Sequence, residues 1–276
     1  MAIEFSRNIT FGQYLDLGSP IHRLDPRTKI LALAVLMLTI FLTPSFSGYA
    51  VFLLGVATIQ IVSRIPVRYT LRGMRLLFNT MLIIFVFQVL FYPSPSASST
   101  LWRWGILSIS GDGVRQGLLI LVRVVLLYYL TSTLMFTTGL VDLADGLEVM
   151  VGPLKWLRLP VNELVMVAVI AIKFVPILVA EVERLIKAQA ARGVRFDQGN
   201  LVQRGRKLGG LLIPIFVNAF ERAEALITAM DARCYRGGRG RTKRRTLTFH
   251  RADAVALAAA LLIALGSVGV SRLTGV

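Results

Sequence analysis

From Ile30 to Ser63 the chain runs without a single charged side chain. A soluble domain has no means of shielding so long an apolar run, whereas a bilayer requires one. A helix crossing roughly 30 Å of hydrocarbon needs about 20 apolar residues. The run is too long for one crossing and suits two short ones. Thr43-Pro44-Ser45-Phe46-Ser47-Gly48 supplies the turn between them, because proline, glycine and serine together interrupt a helix. Spans are thus expected near 29–44 and 47–63, followed by Leu76–Tyr92, Gly117–Thr138 and Ala254–Val270. Composition agrees: 55% of residues are hydrophobic and only 17% charged, against about 25% charged in an ordinary soluble domain. Residues 1–28 are mostly polar and carry no apolar h-region, so no cleavable signal peptide is expected.

Charge gives these spans a direction. The net charge is +16, from 31 basic and 15 acidic residues. Arg7, Arg23, Arg27 and Lys29 precede the first span, and Arg64, Arg68, Arg72 and Arg75 follow the second, while the turn between the two has no basic residue. The positive-inside rule places both basic segments in the cytoplasm. Loop 93–116, rich in Pro and Ser and carrying Trp102 and Trp104, then lies outside, and the chain is back inside near residue 139. Segment 161–180 is apolar enough to be a sixth span. That choice would put residues 181–251 outside, with 16 basic residues against six acidic, and Lys173 and Pro176 interrupt it. The expectation is therefore an all-α polytopic membrane protein in three parts. Residues 1–138 hold four transmembrane helices, 139–251 form a cytoplasmic domain of long amphipathic helices, and 252–276 hold the last span.

Within 139–251 a short helix is expected over Asp142–Met150, ended by Gly152-Pro153. A long one starts within Leu159-Pro160-Val161-Asn162-Glu163 and runs to Arg192, stopped by Gly193, and another starts at Gly199-Asn200 and runs to about Tyr235, stopped by Gly237-Gly238. Pro176 and Pro214 should bend the long pair. The ends of these two helices repeat each other. Under a shift that lays Val182–Arg195 over Ala223–Arg236, half of the positions are identical, and Ala191-Arg192-Gly193 falls on Ala232-Arg233-Cys234. Two alike tips suit two alike partner subunits around a pseudo-two-fold axis. Arginine is apt at such a tip, since its charge is permanent and its five donors form a fixed fork that matches a carboxylate.

These two tips resemble the paired Ala-Arg-Gly signatures of the T component of energy-coupling factor (ECF) transporters. Ser19-Pro-Ile-His-Arg-Leu-Asp-Pro-Arg-Thr-Lys29 is similar to the segment preceding the first span in that family, and Glu221-Arg-Ala-Glu224 and Tyr235-Arg-Gly-Gly238 also follow its pattern. The likeness covers nearly the whole chain. It departs at Cys234, where the family has glycine, which calls for Gly237 as the substitute helix stop. The resemblance implies a coupling subunit of the cell membrane. Two ABC-type ATPases would dock on its cytoplasmic helices, one each at Arg192 and Arg233. A small membrane-embedded S component would bind the substrate, usually a vitamin or a transition-metal ion.

Other chemistry finds little support. One cysteine, Cys234, excludes a disulfide framework. His22 and His250 are too few and too far apart in sequence for a metal site, and no cofactor motif is present. Gly237-Gly-Arg-Gly-Arg-Thr-Lys243 has its glycines and lysine in the wrong order for a phosphate loop, so no ATP hydrolysis by this chain is expected. The basic run Arg239–Arg251 suits anionic membrane lipid rather than nucleic acid. Arg123 lies inside the fourth span, where a charge costs roughly 2.5–3.5 kcal/mol. It is expected to reach the outer face or to anchor against a carbonyl or an acidic residue. A self-contained permease and a simple membrane anchor are the alternative classes.

Overall fold

The computed structural model describes residues 14–15, 17–43, 45–92, 100–104, 107–152, 156, 161–194, 200–237 and 247–274. Its elements are α1 (Pro26–Leu42), α2 (Phe46–Ser63), α3 (Val67–Phe91), β1 (Thr100–Trp104), β2 (Leu107–Ser110), α4 (Gly111–Thr137), α5 (Leu140–Val151), α6 (Val161–Ala191), α7 (Leu201–Ala232) and α8 (Arg251–Leu273). They form two compact units, one of Tyr14–Gly146 with Leu247–Val276, the other built on Leu147–Thr246. Among the described residues the architecture is all-α apart from one antiparallel hairpin, β1–β2. That hairpin falls in what the sequence marks as a Pro- and Ser-rich loop. Its strands, Thr-Leu-Trp-Arg-Trp and Leu-Ser-Ile-Ser, are rich in the aromatic and branched residues that suit a pleated surface.

In the first unit, local chemistry starts each helix. Asp25 caps α1, accepting from Arg27 N at 2.9 Å, and Pro26 fills the position where no donor is needed. Ser45 caps α2 by accepting from Gly48 N at 3.2 Å, and Ser110 caps α4 by accepting from Gly113 N at 3.0 Å. The third helix begins at Val67, well before the Leu76 that hydropathy suggests, so that Arg68, Arg72 and Arg75 lie on α3 rather than in a loop. Apolarity marks only its second arm. No proline interrupts the stretch from Val67 to Phe91, and the helix bends by 58° between Arg75 and Leu77.

The core of this unit joins Leu36 and Ile40 of α1, Tyr49 and Phe52 of α2, Leu119, Leu126 and Leu130 of α4, and Ala260 of α8. Lipid is as apolar as these side chains, so helices hold together by close approach. Gly48 shows how close: a Cβ there would lie 3.0 Å from the carbonyl oxygen of Ser267 on α8 and would collide with the Thr43 side chain. A Cβ on Gly55, two turns along, would lie 2.8 Å from Ile263 Cδ1. Among the described residues α2, α4, α6 and α8 are long and apolar enough to cross a membrane, and α3 adds a fifth if its two arms make one span. With 17 residues, α1 is about 25 Å long at 1.5 Å per residue.

One end of the bundle is tied by buried polar contacts. Asp253, at the start of α8, is 1% exposed. Its Oδ1 accepts from Asp25 N at 2.8 Å and its Oδ2 from His250 N at 2.8 Å. Lys29 Nζ donates to Thr137 O, at the end of α4, at 2.9 Å and to His22 O at 3.2 Å. The start of α1, the end of α4 and the start of α8 therefore share one end. Segment 139–250 leaves the bundle and rejoins it there.

Asp253→Ala should strip two backbone donors of their acceptor and lower stability by about 1–3 kcal/mol for the buried Asp25 N–H alone, seen as a reduced melting temperature of the detergent-purified protein. Gly48→Leu should force α2 and α8 apart at a cost of about 1–3 kcal/mol, readable in the same melt.

Candidate functional site

The two helices that carry the repeated tips, α6 and α7, belong to the second unit and pack on each other. Each continues through its internal proline, Pro176 or Pro214, as one helix of 31 or 32 residues. Both keep large apolar side chains exposed, Leu164, Val167 and Ile177 on α6, and Ile213, Phe216 and Phe220 on α7.

The tips are built alike down to single hydrogen bonds. At the end of α6, Gly193 has φ +91°, Gly193 N donates to Ala190 O at 3.0 Å and Val194 N to Gln189 O at 3.0 Å. At the end of α7, Cys234 has φ +54°, Cys234 N donates to Asp231 O at 2.9 Å and Tyr235 N to Met230 O at 3.1 Å. Both are Schellman motifs, in which a left-handed residue turns the chain so that two following N–H groups close the last orphan carbonyls. The helix thus stops at Cys234, and α7 ends at Ala232 rather than running on towards Tyr235 and Gly237. The sequence suggests otherwise because a side chain in the left-handed region costs roughly 1–2 kcal/mol. Here the two closing hydrogen bonds hold Cys234 in that region. Gly237 is left-handed as well, at φ +85°, beyond the turn.

This geometry puts Ala191 and Ala232 at the last helical position, Arg192 and Arg233 at the C-cap, and Gly193 and Cys234 in the left-handed turn. All six are exposed. The C-terminal partial negative charge of each helix favours a cation at the cap. Among the described residues neither guanidinium takes an acidic partner, so both forks remain available to a carboxylate outside the chain. Small alanines beside them leave the end of the helix slim.

Among the described residues Arg123 meets neither a carbonyl nor an acid. Its Nε donates to Tyr49 Oη at 2.8 Å, and its guanidinium lies 5.9 Å from the centroid of the Phe41 ring, a cation–π distance. The α1–α2 turn brings Phe41 and Tyr49 to α4, a proximity invisible along the sequence. Most of the basic run from Arg239 falls outside the described residues, as do Arg195 and Gly199, and the side chains of Trp102 and Trp104 are likewise outside them. Among the described residues no group of three or more His, Cys, Asp or Glu is placed to hold a metal ion. Glu181 had no place among the residues expected to matter, yet its carboxylate gathers Asn218, Arg222 and Arg184. The shift that overlays the tips, carried one step further back than Val182, pairs it with Arg222 and was the available signal.

Apolar helices able to cross a bilayer, joined to two exposed helices with matched basic tips, define a multi-pass membrane protein. Comparison with known proteins makes this specific. Residues 18–244 match the family model CbiQ, described as cobalt transport protein. The chain is 41% identical over 247 residues to the energy-coupling factor transporter transmembrane protein EcfT of Heliobacterium modesticaldum, covering 90% of this chain and 91% of that one. It is 40% identical to the protein of the same name from Thermosediminibacter oceani over 262 residues, 95% and 97% of the two chains. The Ruminiclostridium cellulolyticum protein of that name is 40% identical over 247 residues, 90% of this chain and 91% of that one. The chain belongs to the EcfT family of transmembrane components of energy-coupling factor transporters, and so is a multi-pass protein of the plasma membrane.

Cys234→Gly should relieve on the order of 1 kcal/mol of backbone strain at the second tip, measured as slower amide hydrogen exchange over residues 230–235. Gly193→Val should do the reverse at the first.

Proposed function

We propose that the chain is the non-catalytic coupling subunit of an ATP-driven importer, passing the movement of two ABC-type ATPases to a membrane-embedded S component that binds a vitamin or a metal ion. The observation that carries this is the duplication of the tips. Two helices end in the same Schellman turn, each with an exposed, unpaired arginine at the same cap position of the sequence repeat. Two similar ATPase subunits would each present an acidic groove to one of them, with Ala191, Arg192 and Gly193 entering one groove and Ala232, Arg233 and Cys234 the other. The exposed apolar side chains of α6 and α7 suit contact with a membrane-embedded S component.

The proposal places the tips in the cytoplasm. The tied end of the bundle carries Arg23 and Arg27, and α2 returns to it with Arg64, so the positive-inside rule puts that end inside. Segment 139–250 leaves and rejoins there. A single crossing by α6 would return the chain at the opposite end, and among the described residues of this segment α6 alone is apolar enough to span, so the arrangement that fits has α6 and α7 both on the cytoplasmic side. The basic residues from Arg239 onward then lie where anionic lipid headgroups add attraction.

Charge reversal at both tips, Arg192→Glu with Arg233→Glu, should abolish co-purification of the ATPases from native membranes while leaving insertion intact. Each single reversal should retain one docking point. ATPases that remain bound to the double variant, or a wild-type chain that purifies alone and binds a transported solute by itself, would overturn this function.

A further inference from the structure

We propose that Glu181, Asn218 and Arg222 form a pivot that fixes the register of α6 against α7 and so sets the spacing of the two tips. The inference deepens the coupling function above and rests on it. Where the two helices meet, Glu181 Oε1 accepts from Asn218 Nδ2 at 3.0 Å, and Glu181 Oε2 lies 3.8 Å from Arg222 Nη2. Arg184 Nη1, on the same helix as Glu181, is also 3.8 Å from Oε2. Glu181 falls on Arg222 under the same shift that lays Arg192 on Arg233. The helices therefore touch at equivalent positions of the repeat.

This placement has a mechanical consequence. The stretch from Glu181 to Arg192 is as long as the stretch from Arg222 to Arg233, about 16 Å of helix at 1.5 Å per residue. Neither arm contains proline or glycine before its cap. The prolines, which each remove a backbone hydrogen bond, lie on the other side of the contact, at Pro176 and Pro214. Two stiff arms of equal length move their tips by equal amounts, as two like ATPases approaching together require. A slip of one residue between the helices would make the arms unequal.

The apolar surface of this pair does not set register, because burial of Phe216 or Phe220 is favourable in many positions and has no direction. A hydrogen bond has direction and a short range. An ion pair as exposed as Arg222, with 42% of its side chain accessible, adds little to stability. Its role is to choose one alignment among several of similar energy, which makes Glu181 a positioning residue.

The test uses the full chain in lipid nanodiscs, spin-labelled at the single native cysteine, Cys234, and at Ala190→Cys near the other tip. Pulsed electron paramagnetic resonance should give one narrow distance. Glu181→Arg should broaden or shift it by placing a third cation beside Arg222 and Arg184, and Glu181→Arg with Arg222→Glu should restore the narrow peak. A distance unchanged by Glu181→Arg, or a charge-swapped pair that stays broad, would overturn the pivot. Because the measurement needs no partner, ATPases failing to bind the unaltered chain would sink the coupling function and leave the pivot standing.

Discussion

A buried carboxylate at the start of α8 holds the membrane unit together across 228 positions of sequence. Asp253 is 1% exposed and spends both oxygens on backbone donors, one from His250, the N-cap of its own helix, and one from the cap of α1. A carboxyl group so deeply placed needs such hydrogen-bond partners. Lys29 adds to the same end of the bundle by binding the last carbonyl of α4 and the carbonyl of His22. Three helix ends are thereby gathered at one place. Everything inserted between α4 and α8 is bound to return where it left.

The two units solve different problems. Helices in hydrocarbon gain nothing from hiding apolar surface, so α2 and α8 rely on glycines that let backbones approach. The long helices α6 and α7 keep much of their apolar surface uncovered, and directional polar contacts at Glu181 align them. Packing serves permanence in the first unit. In the second, an alignment with little burial suits the proposed role of a part that is gripped and moved.

The tips show how a backbone device can stand in for a sequence motif. Ala-Arg-Gly and Ala-Arg-Cys end their helices by the same pair of hydrogen bonds, although only glycine enters the left-handed region without strain. What is preserved between the tips is the cap geometry and the direction it gives to the chain after arginine. The side chain in the turn is secondary to that.

Much was legible from order alone. The charge-free run from Ile30 to Ser63 dictates paired spans because hydrocarbon thickness fixes helix length, and the internal repeat exposes Arg192 and Arg233 as a matched pair. The helices of the second unit, too, follow from where glycine and proline fall. Tertiary structure decided the rest. The α3 arm bearing Arg68 and Arg75 is helical although hydropathy ends before it, since hydropathy measures lipid compatibility and not backbone conformation. Cys234 turns left-handed because two hydrogen bonds outweigh its strain. Tyr49 meets Arg123, Asp253 meets Asp25 and Glu181 meets Arg222 only after helices pack, for such contacts depend on distances in space that no local pattern of residues encodes.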